Sequence, residues 1–268
     1  WAVFRWVNQI FTIPMFDFLG SFLSNYGLII LIMTIVLKLI IFPLTYKSYL
    51  STAKMRVLKP QIEEINKRIP EDRPTERSQA TMELYSKTGV NPMGGCLPML
   101  LQMPILFAAF RFFPAAIELR GQSFLWADDL STYDSILDLP FSIPFYGDHV
   151  SLFCLLMCLT QVIYTKFTMQ SQNTAQMPGM SVMMYMMPVM LLFFFNDYPA
   201  GLCYYYFVST LITVLQTVII KHTIDDKAIL AQIENNQKKP VKKSRFQEMY
   251  ERKLKELEKQ QRLQQKKK

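Results

Sequence analysis

One lysine lies inside an otherwise uncharged apolar stretch. The run LIMTIVLKLIIFPLT covers residues 31–45, and Lys38 is its single charged residue. A lysine at the centre of a membrane helix costs about 2.5–3.5 kcal/mol on insertion scales, so its presence calls for an explanation. Two interpretations stay open: the side chain reaches the membrane surface by snorkelling, or it lies in a hydrophilic cavity.

Other polar side chains share helical faces with this lysine or with one another. Thr34 lies one turn before Lys38, and the apolar run 202–220 carries polar residues three or four positions apart. Hydrogen bonds between helices would account for the hydroxyl and amide groups within the apolar runs. They do not account for Lys38, because none of these runs contains an acid to pair with it. We therefore predict a polar groove, because lipid offers these groups no partners. Its predicted lining is Lys38, Thr34, Gln102, Tyr206, Ser209, Thr213 and Gln216.

Five apolar segments must position these side chains. Each segment is long enough, or nearly so, to cross a bilayer core, which takes about 20 helical residues. They are 26–44, 96–113, 150–167, 180–195 and 202–220, and Pro188 is expected to kink the fourth. The chain is 51% hydrophobic with a mean hydropathy of +0.14, values that are high for a soluble domain. The predicted fold class is an all-α membrane protein with a core of five transmembrane helices.

Lysine and arginine are distributed unevenly among the connections. Nine lie in 46–92 and fifteen in 221–268, whereas 114–149 holds one against six acids. Because cytosolic connections are enriched in lysine and arginine, we predict that 46–92 and the C-terminal tail are cytosolic. Residues 114–149 then form an external loop, and the N-terminal side is outside.

The connections themselves have readable patterns. Residues 1–20 are rich in aromatic residues and poor in charge, which favours a helix in the headgroup layer. Within the cytosolic segment 46–92, apolar periodicity predicts a hairpin of two helices, at 54–69 and at 75–88. This hairpin is either a solvated connector or an element that contributes to the protein's activity. Gly89 is expected to end its second helix.

The domain organisation follows from these segments. Residues 1–222 are predicted to form the membrane core, and 223–268 a partly helical, basic cytosolic tail. The link 196–201, NDYPAG, is predicted to be a tight external turn.

Cysteine and methionine are the other residue types with potential binding chemistry. The four cysteines lie in apolar runs without a neighbouring ligand set, which favours packing over a metal or disulfide role. Seven methionines cluster between 177 and 190, either as lipid-facing filler or as a pliable surface for varied helices. No phosphate-cradling glycine motif is present in the sequence, and we predict no cofactor, no metal and no enzymatic activity.

Three stretches carry a family resemblance over about residues 25–223. They are YGLIILIMTIVLKLIIFPLTYKSYLSTAKMRVLKPQIEEI, KTGVNPMGGCLPMLLQMPILFAAF and DYPAGLCYYYFVST. Together they resemble the YidC/Oxa family of membrane protein insertases. The resemblance implies five core helices around a positively charged groove that is open to cytosol and lipid and closed on the outer side.

The resemblance also implies roles for single residues. Lys38 stands where the family usually has arginine, which keeps the charge but loses the guanidinium fork. Thr34 and Tyr206 match groove residues of the family, and Gln102 falls in its second core helix. The cytosolic hairpin is implied to be mobile and needed for activity, and the basic tail to contact ribosomes.

The function implied is that of an insertase or chaperone in the bacterial inner membrane. It moves short segments of nascent membrane proteins into the bilayer, with nascent proteins, ribosomes and lipids as partners. Involvement of a Sec translocon stays open. The alternatives are a small-solute transporter and an intramembrane hydrolase, in which Lys38 would act as base for Ser209.

Overall fold

The computed structural model describes residues 2–70, 72–91, 94, 97–144, 146–171, 180–226, 229–231 and 233. These residues belong to two compact units. The first contains the described residues of 1–59 and 92–226, and the second contains those of 60–91 and of the chain from 227 onward. All of the predicted groove residues lie in the first unit.

The described elements are mostly helical, which confirms the predicted class. In chain order they are α1 (Ala2–Val7), a π-helical turn (Asn8–Thr12), α2 (Ile13–Gly20), α3 (Tyr26–Val57), α4 (Lys59–Arg68), α5 (Pro74–Thr88), α6 (Leu97–Phe112), 3₁₀ turns (Phe113–Ala115 and Ile117–Leu119), β1 (Leu137–Ile143), β2 (Gly147–Val150), α7 (Leu152–Ser171), α8 (Met180–Phe195) and α9 (Ala200–Thr223).

Four of the five predicted spans are helical throughout their described part, whereas the third becomes helical only at Leu152, because Val150 belongs to β2. Among the described residues, α3, α7 and α9 are long and apolar enough to cross a membrane. The apolar stretches on and beside α6 and α8, Leu100–Ala115 and Val182–Phe195, are shorter than a full bilayer core requires. The helix α8 continues through Pro188.

The helix that carries the first predicted span continues well past residue 44. The helix α3 runs without interruption from Tyr26 through Pro43 to Val57. The prediction placed the end where hydropathy falls, but loss of apolar character marks the end of the lipid-facing part and not of the helix. The Asn25 side chain caps the first turn by accepting a hydrogen bond from the Leu28 N–H at 3.1 Å.

The second unit contains the helical hairpin, which begins later than predicted because residues 54–57 belong to α3. It consists of α4 and α5. The Arg77 side chain joins them by donating to the carbonyls of Ile69 at 2.8 Å and Asn66 at 2.9 Å. As predicted, α5 ends at Thr88, where Gly89 adopts a left-handed conformation with φ of 67°.

Most of the predicted tail 223–268 lies outside the described residues. The described residues Ile229 and Ile233 are buried and belong to the same compact unit as the hairpin. The sequence interpretation, which used charge alone, anticipated no buried side chain in this part of the chain.

The predicted external loop contains a β-hairpin that an all-α fold does not include. Strands β1 and β2 pair antiparallel, with Leu137 opposite Val150 and Asp138 opposite His149. The sequence LDLPFSI of β1 alternates apolar with other residues, a period of two that is typical of strands. Its acidic residues had been used only to infer orientation, so this signal was overlooked.

Buried polar side chains fasten this loop to the membrane helices. The Asp134 carboxylate accepts hydrogen bonds from Trp126 Nε1 at 2.9 Å, Ser151 Oγ at 2.5 Å and the Phe153 N–H at 3.0 Å. Because Phe153 lies in the first turn of α7, the carboxylate satisfies a free N–H group at that helix end and faces the positive end of its dipole.

The predicted turn after α8 is also anchored. Asn196 is fully buried, its Oδ1 accepts from the Ser151 N–H at 3.1 Å, and its Nδ2 donates to the carbonyls of Tyr146 and His149 at 2.8 and 2.9 Å. The link between α8 and α9 is therefore held to the β-hairpin by three hydrogen bonds of one amide side chain.

Candidate functional site

Lys38 lies where the helices α3, α6 and α9 meet. Its side chain, on α3, is only 8% exposed. The Nζ atom donates to Thr213 Oγ1 on α9 at 2.9 Å and lies 3.4 Å from Gln102 Oε1 on α6. Three residues that the sequence placed in one groove are thus in direct contact.

The Lys38 ammonium group is held by neutral oxygens. Among the described residues, no carboxylate lies within ion-pair distance of it. A buried charge without a counter-charge keeps a strong field, because the surrounding medium screens it less than water does. Hydroxyl and amide dipoles compensate part of the desolvation, and the net positive charge of the site remains.

The polar face of α9 is a ladder of residues four positions apart. Thr213 Oγ1 donates to the Ser209 carbonyl at 2.8 Å, and Thr217 Oγ1 donates to the Thr213 carbonyl at 2.6 Å. Each of these hydroxyl protons is used within the helix, which leaves the Thr213 oxygen free to accept from Lys38. Ser209 is buried on the same helix and is not among the Lys38 partners in the described part of the chain.

The other predicted groove residues lie on two of the same helices, α3 and α9. Thr34 is fully buried one turn before Lys38 and donates to the Ile30 carbonyl at 2.6 Å. Gln216 is half-buried on α9. Tyr206 packs its ring 6.2 Å from that of Phe110. Its buried hydroxyl has no hydrogen-bond partner in the described part of the structure.

Two polar contacts beyond the predicted end of the first span were missed. Tyr49 on α3 hydrogen-bonds Thr217 on α9, and Ser48 donates to the Gly94 carbonyl. The signal was available, because Tyr49 follows Thr45 by four residues on the same helix. The predicted groove did not include these two residues because the apolar segment ends at 44.

The described cysteines are buried in the helix bundle, whereas several methionines of the predicted cluster are exposed. Cys154, Cys158 and Cys203 are buried free thiols, and no cluster of potential metal ligands occurs among the described residues, which exclude Cys96. The Cys154 and Cys203 thiols lie 3.6 Å from the carbonyls of Leu192 and Phe195 at the end of α8. Exposed methionines of the predicted cluster lie on α8, whereas Met177 is outside the described residues; they are Met183, Met186, Met187 and Met190.

Comparisons with known proteins agree with the resemblance. The family described as 60Kd inner membrane protein matches residues 18–227. The membrane protein insertase YidC of Parabacteroides distasonis is 60% identical over 272 residues, which cover 99% of this chain and 42% of that protein. The YidC of Bacteroides fragilis is 54% identical over 252 residues, covering 92% of this chain and 41% of that protein.

A more distant relative and a solved structure extend the comparison. The YidC of Porphyromonas gingivalis is 47% identical and covers the whole of this chain and 44% of its own length. The structure described as "Active YidC insertase crystal structure with the first transmembrane domain resolved" aligns with a TM-score of 0.55 at 29% identity, covering 78% of this chain and 46% of that one. The chain thus spans less than half the length of these relatives.

The matched region 18–227 contains α3 and α6 to α9, and with them the Lys38 contact. This protein therefore belongs to the 60Kd inner membrane protein family, the YidC/Oxa insertases, and is a helical protein of the bacterial inner membrane.

Proposed function

We propose that this chain is the core of a membrane protein insertase that is not an enzyme. It moves short segments of nascent membrane proteins into the bilayer. One observation carries the proposal: Lys38, buried among three membrane helices, has only neutral partners among the described residues. A structural cation would be matched by an acid, because the desolvation of an unpaired charge is costly. An uncompensated cation attracts a transient anionic group.

The contact between Lys38 and its partners provides a polar face within a membrane helix bundle. A translocating segment with acidic residues meets a positive charge and hydroxyl and amide groups there, instead of hydrocarbon. This shortens the apolar distance that a polar segment must cross, since each charge in pure hydrocarbon is strongly disfavoured. The apolar part of the same segment then partitions sideways into lipid, a step that needs no nucleotide.

The predicted roles of the individual groove residues belong to this proposal. Lys38 attracts acidic groups and hydrates the groove, while Gln102 and Thr213 orient its ammonium group. Thr34, Ser209 and Gln216 extend the polar wall. Tyr206 adds a buried hydroxyl that has no hydrogen-bond partner in the described part of the structure.

Insertion assays on Lys38 variants test the proposal. Lys38→Arg is expected to keep activity, because any cation serves. Lys38→Leu is expected to insert substrates with acidic translocated ends at least tenfold less well, about 1.4 kcal/mol in coupling to the substrate. Lys38→Glu should be worse, because it repels those ends. Lys47→Leu is the matched control, since it removes an exposed cation from the same helix.

The readout is protease protection of substrates in a strain depleted of its own insertase, with protein level measured in parallel. Equal insertion of acidic and neutral substrates by Lys38→Leu and by the unmodified protein would contradict the proposal and leave Lys38 as a snorkelling residue. Solute flux in vesicles without insertion would favour a transporter. Cleavage of a labelled substrate, lost in Ser209→Ala, would favour a hydrolase.

The basic tail and the orientation complete the proposal. We assign 46–92 and 223–268 to the cytosol, where the tail's cationic residues contact ribosomal RNA during synthesis. Removing residues 236–268 should reduce ribosome co-sedimentation at low salt and leave basal insertion of short substrates intact. Unchanged sedimentation would indicate that the tail binds anionic lipid and not ribosomes. A Sec translocon is a further candidate partner, tested by insertion in liposomes that lack it.

A further inference from the structure

The β-hairpin before α7 exposes large apolar side chains. Leu137 is 57% exposed and Phe141 61%, and Ile136 beside them is about half exposed. These three residues, called here the hairpin apolar set, lie within six positions of a loop that contains six acids and one arginine. A cluster of exposed large apolar residues on so small an element indicates a surface that is covered by something.

The hairpin is rigidly attached to the ends of membrane helices. His149 of β2 is buried, its Nε2 lies 3.1 Å from the Asn196 carbonyl oxygen, and its ring stacks on Tyr133 at 3.8 Å. On the side of β1, the Ile136 N–H donates to the Val150 carbonyl at 3.1 Å. The apolar set therefore has a fixed position next to the junction of α8 and α9.

The same hairpin leads directly into a membrane-spanning helix. Strand β2 ends at Val150 and α7 begins at Leu152, so one residue separates the hairpin from the helix. The start of a membrane helix marks the boundary between water and lipid. Leu137, which pairs with Val150, thus lies next to the start of α7.

A protein partner fits this surface less well than lipid does. Pro140 and Pro144 interrupt the row of N–H groups along β1 and its end, which disfavours the addition of a further strand. Three half-exposed side chains also offer far less than the roughly 800 Å² per partner of a standard protein interface.

A second apolar tip lies in the same loop. Leu125 is 69% exposed and has φ of 55°, a left-handed conformation that leucine rarely adopts. It sits in a tight turn closed by hydrogen bonds in both directions between the backbones of Phe124 and Ala127, at 2.9 and 3.0 Å. The turn therefore holds Leu125 in a backbone conformation that leucine disfavours, with its side chain exposed.

We propose that the β1–β2 hairpin is a membrane-surface anchor. Its Ile136, Leu137 and Phe141 side chains insert between phospholipid headgroups at the face of the bilayer where α7 begins. Interfacial insertion of apolar and aromatic side chains is favourable there, and no charge on the inserted set opposes it. The anchor fixes the ends of α7, α8 and α9 at a constant depth, independently of whether the chain inserts substrates.

Depth measurements with nitroxide labels test this proposal. Phe141→Cys and the neighbouring Ser142→Cys, also exposed, are labelled separately in a background whose four native cysteines are replaced by alanine. The protein is reconstituted into vesicles of phosphatidylethanolamine and phosphatidylglycerol. Collision rates with oxygen, which concentrates in lipid, and with a water-soluble nickel complex are measured for each label.

The ratio of oxygen to nickel collisions should be several-fold higher at position 141 than at 142. Leu137→Cys should give the same high ratio, which guards against a local disturbance by one label. Equal, water-like ratios at 137, 141 and 142 would overturn the anchor. Shielding of positions 137 and 141 from both reagents would also overturn it, because the surface would then be covered by protein.

Discussion

Lys38 and Thr213 are 175 positions apart in the chain, yet the Lys38 ammonium group donates a 2.9 Å hydrogen bond to the Thr213 hydroxyl oxygen. The direction of this bond is fixed, because the Thr213 proton is donated to the Ser209 carbonyl at 2.8 Å. The contact joins the first apolar helix of the bundle to the last. It therefore contributes both to the charge of the site and to the packing of α3 on α9.

Thr213→Val removes an acceptor from Lys38 while keeping the shape of the side chain. We expect a loss of about 1–3 kcal/mol in the free energy of unfolding, because a buried ammonium group loses one of its partners. In the Lys38→Leu background the same substitution should cost much less, since no cation remains to be satisfied. Thermal unfolding of the unmodified protein, the two single variants and the double variant in detergent measures this coupling.

Lys38→Leu alone should leave the protein at least as stable as the unmodified chain. Replacing a buried charged group by an apolar one of similar size is often neutral or stabilising. Equal penalties for Thr213→Val in both backgrounds would show that the threonine acts only through α9, and would contradict the coupling. Thr210→Val on the same helix is the control for a general effect of valine there.

Gly27 provides a second prediction, on the packing of the external loop against α3. A Cβ atom at this position would collide with the Phe124 ring, which lies 5.0 Å from that of Tyr204. Gly27→Ala should therefore destabilise the protein by about 1–3 kcal/mol, as overpacked substitutions do. Gly20→Ala is the matched control, because nothing lies within 4 Å of its added methyl group. Equal melting temperatures of the two variants would contradict the predicted collision.

Asp134 should be the most sensitive acid of the external loop. Asp134→Ala leaves Trp126 Nε1, Ser151 Oγ and the Phe153 N–H without their acceptor. We expect a loss of about 3 kcal/mol, because buried unsatisfied donors and a lost charged hydrogen bond each cost about 1–3 kcal/mol. Asp138→Ala, which removes only an exposed contact with Ser135, should change stability by less than about 0.5 kcal/mol.

Limited proteolysis of the loop and the melting temperature check this prediction together. Loop cleavage should rise in Asp134→Ala and stay unchanged in Asp138→Ala. Similar cleavage of the two variants would mean that the carboxylate network does not hold the loop on α7.

The sequence predicted the helices and the polar face because a membrane leaves little choice. Backbone groups in lipid must be satisfied within the segment, so long apolar runs are helical, and polar residues such as Lys38 and Thr213 must turn inward. Contacts between residues that are distant in the chain do not follow from these patterns. Nothing in the pattern around Gly27 indicates that Phe124 lies over it. The reach of Asp134 to the start of α7 is likewise set by the folded loop and not by spacing.

Orientation is the final prediction, and it depends on the charges of the connections. Single cysteines at exposed positions on either side are required, in a background without native cysteines. Glu64→Cys, in α4, and Asp128→Cys, in the external loop, are suitable because both side chains are exposed. Asp134 would be a poor choice, since it is buried. An impermeant maleimide should label Asp128→Cys in intact cells and Glu64→Cys only after permeabilisation, because segments rich in lysine and arginine stay in the cytosol. Labelling of Glu64→Cys in intact cells would reverse the orientation and remove Lys38 from the leaflet that nascent chains enter.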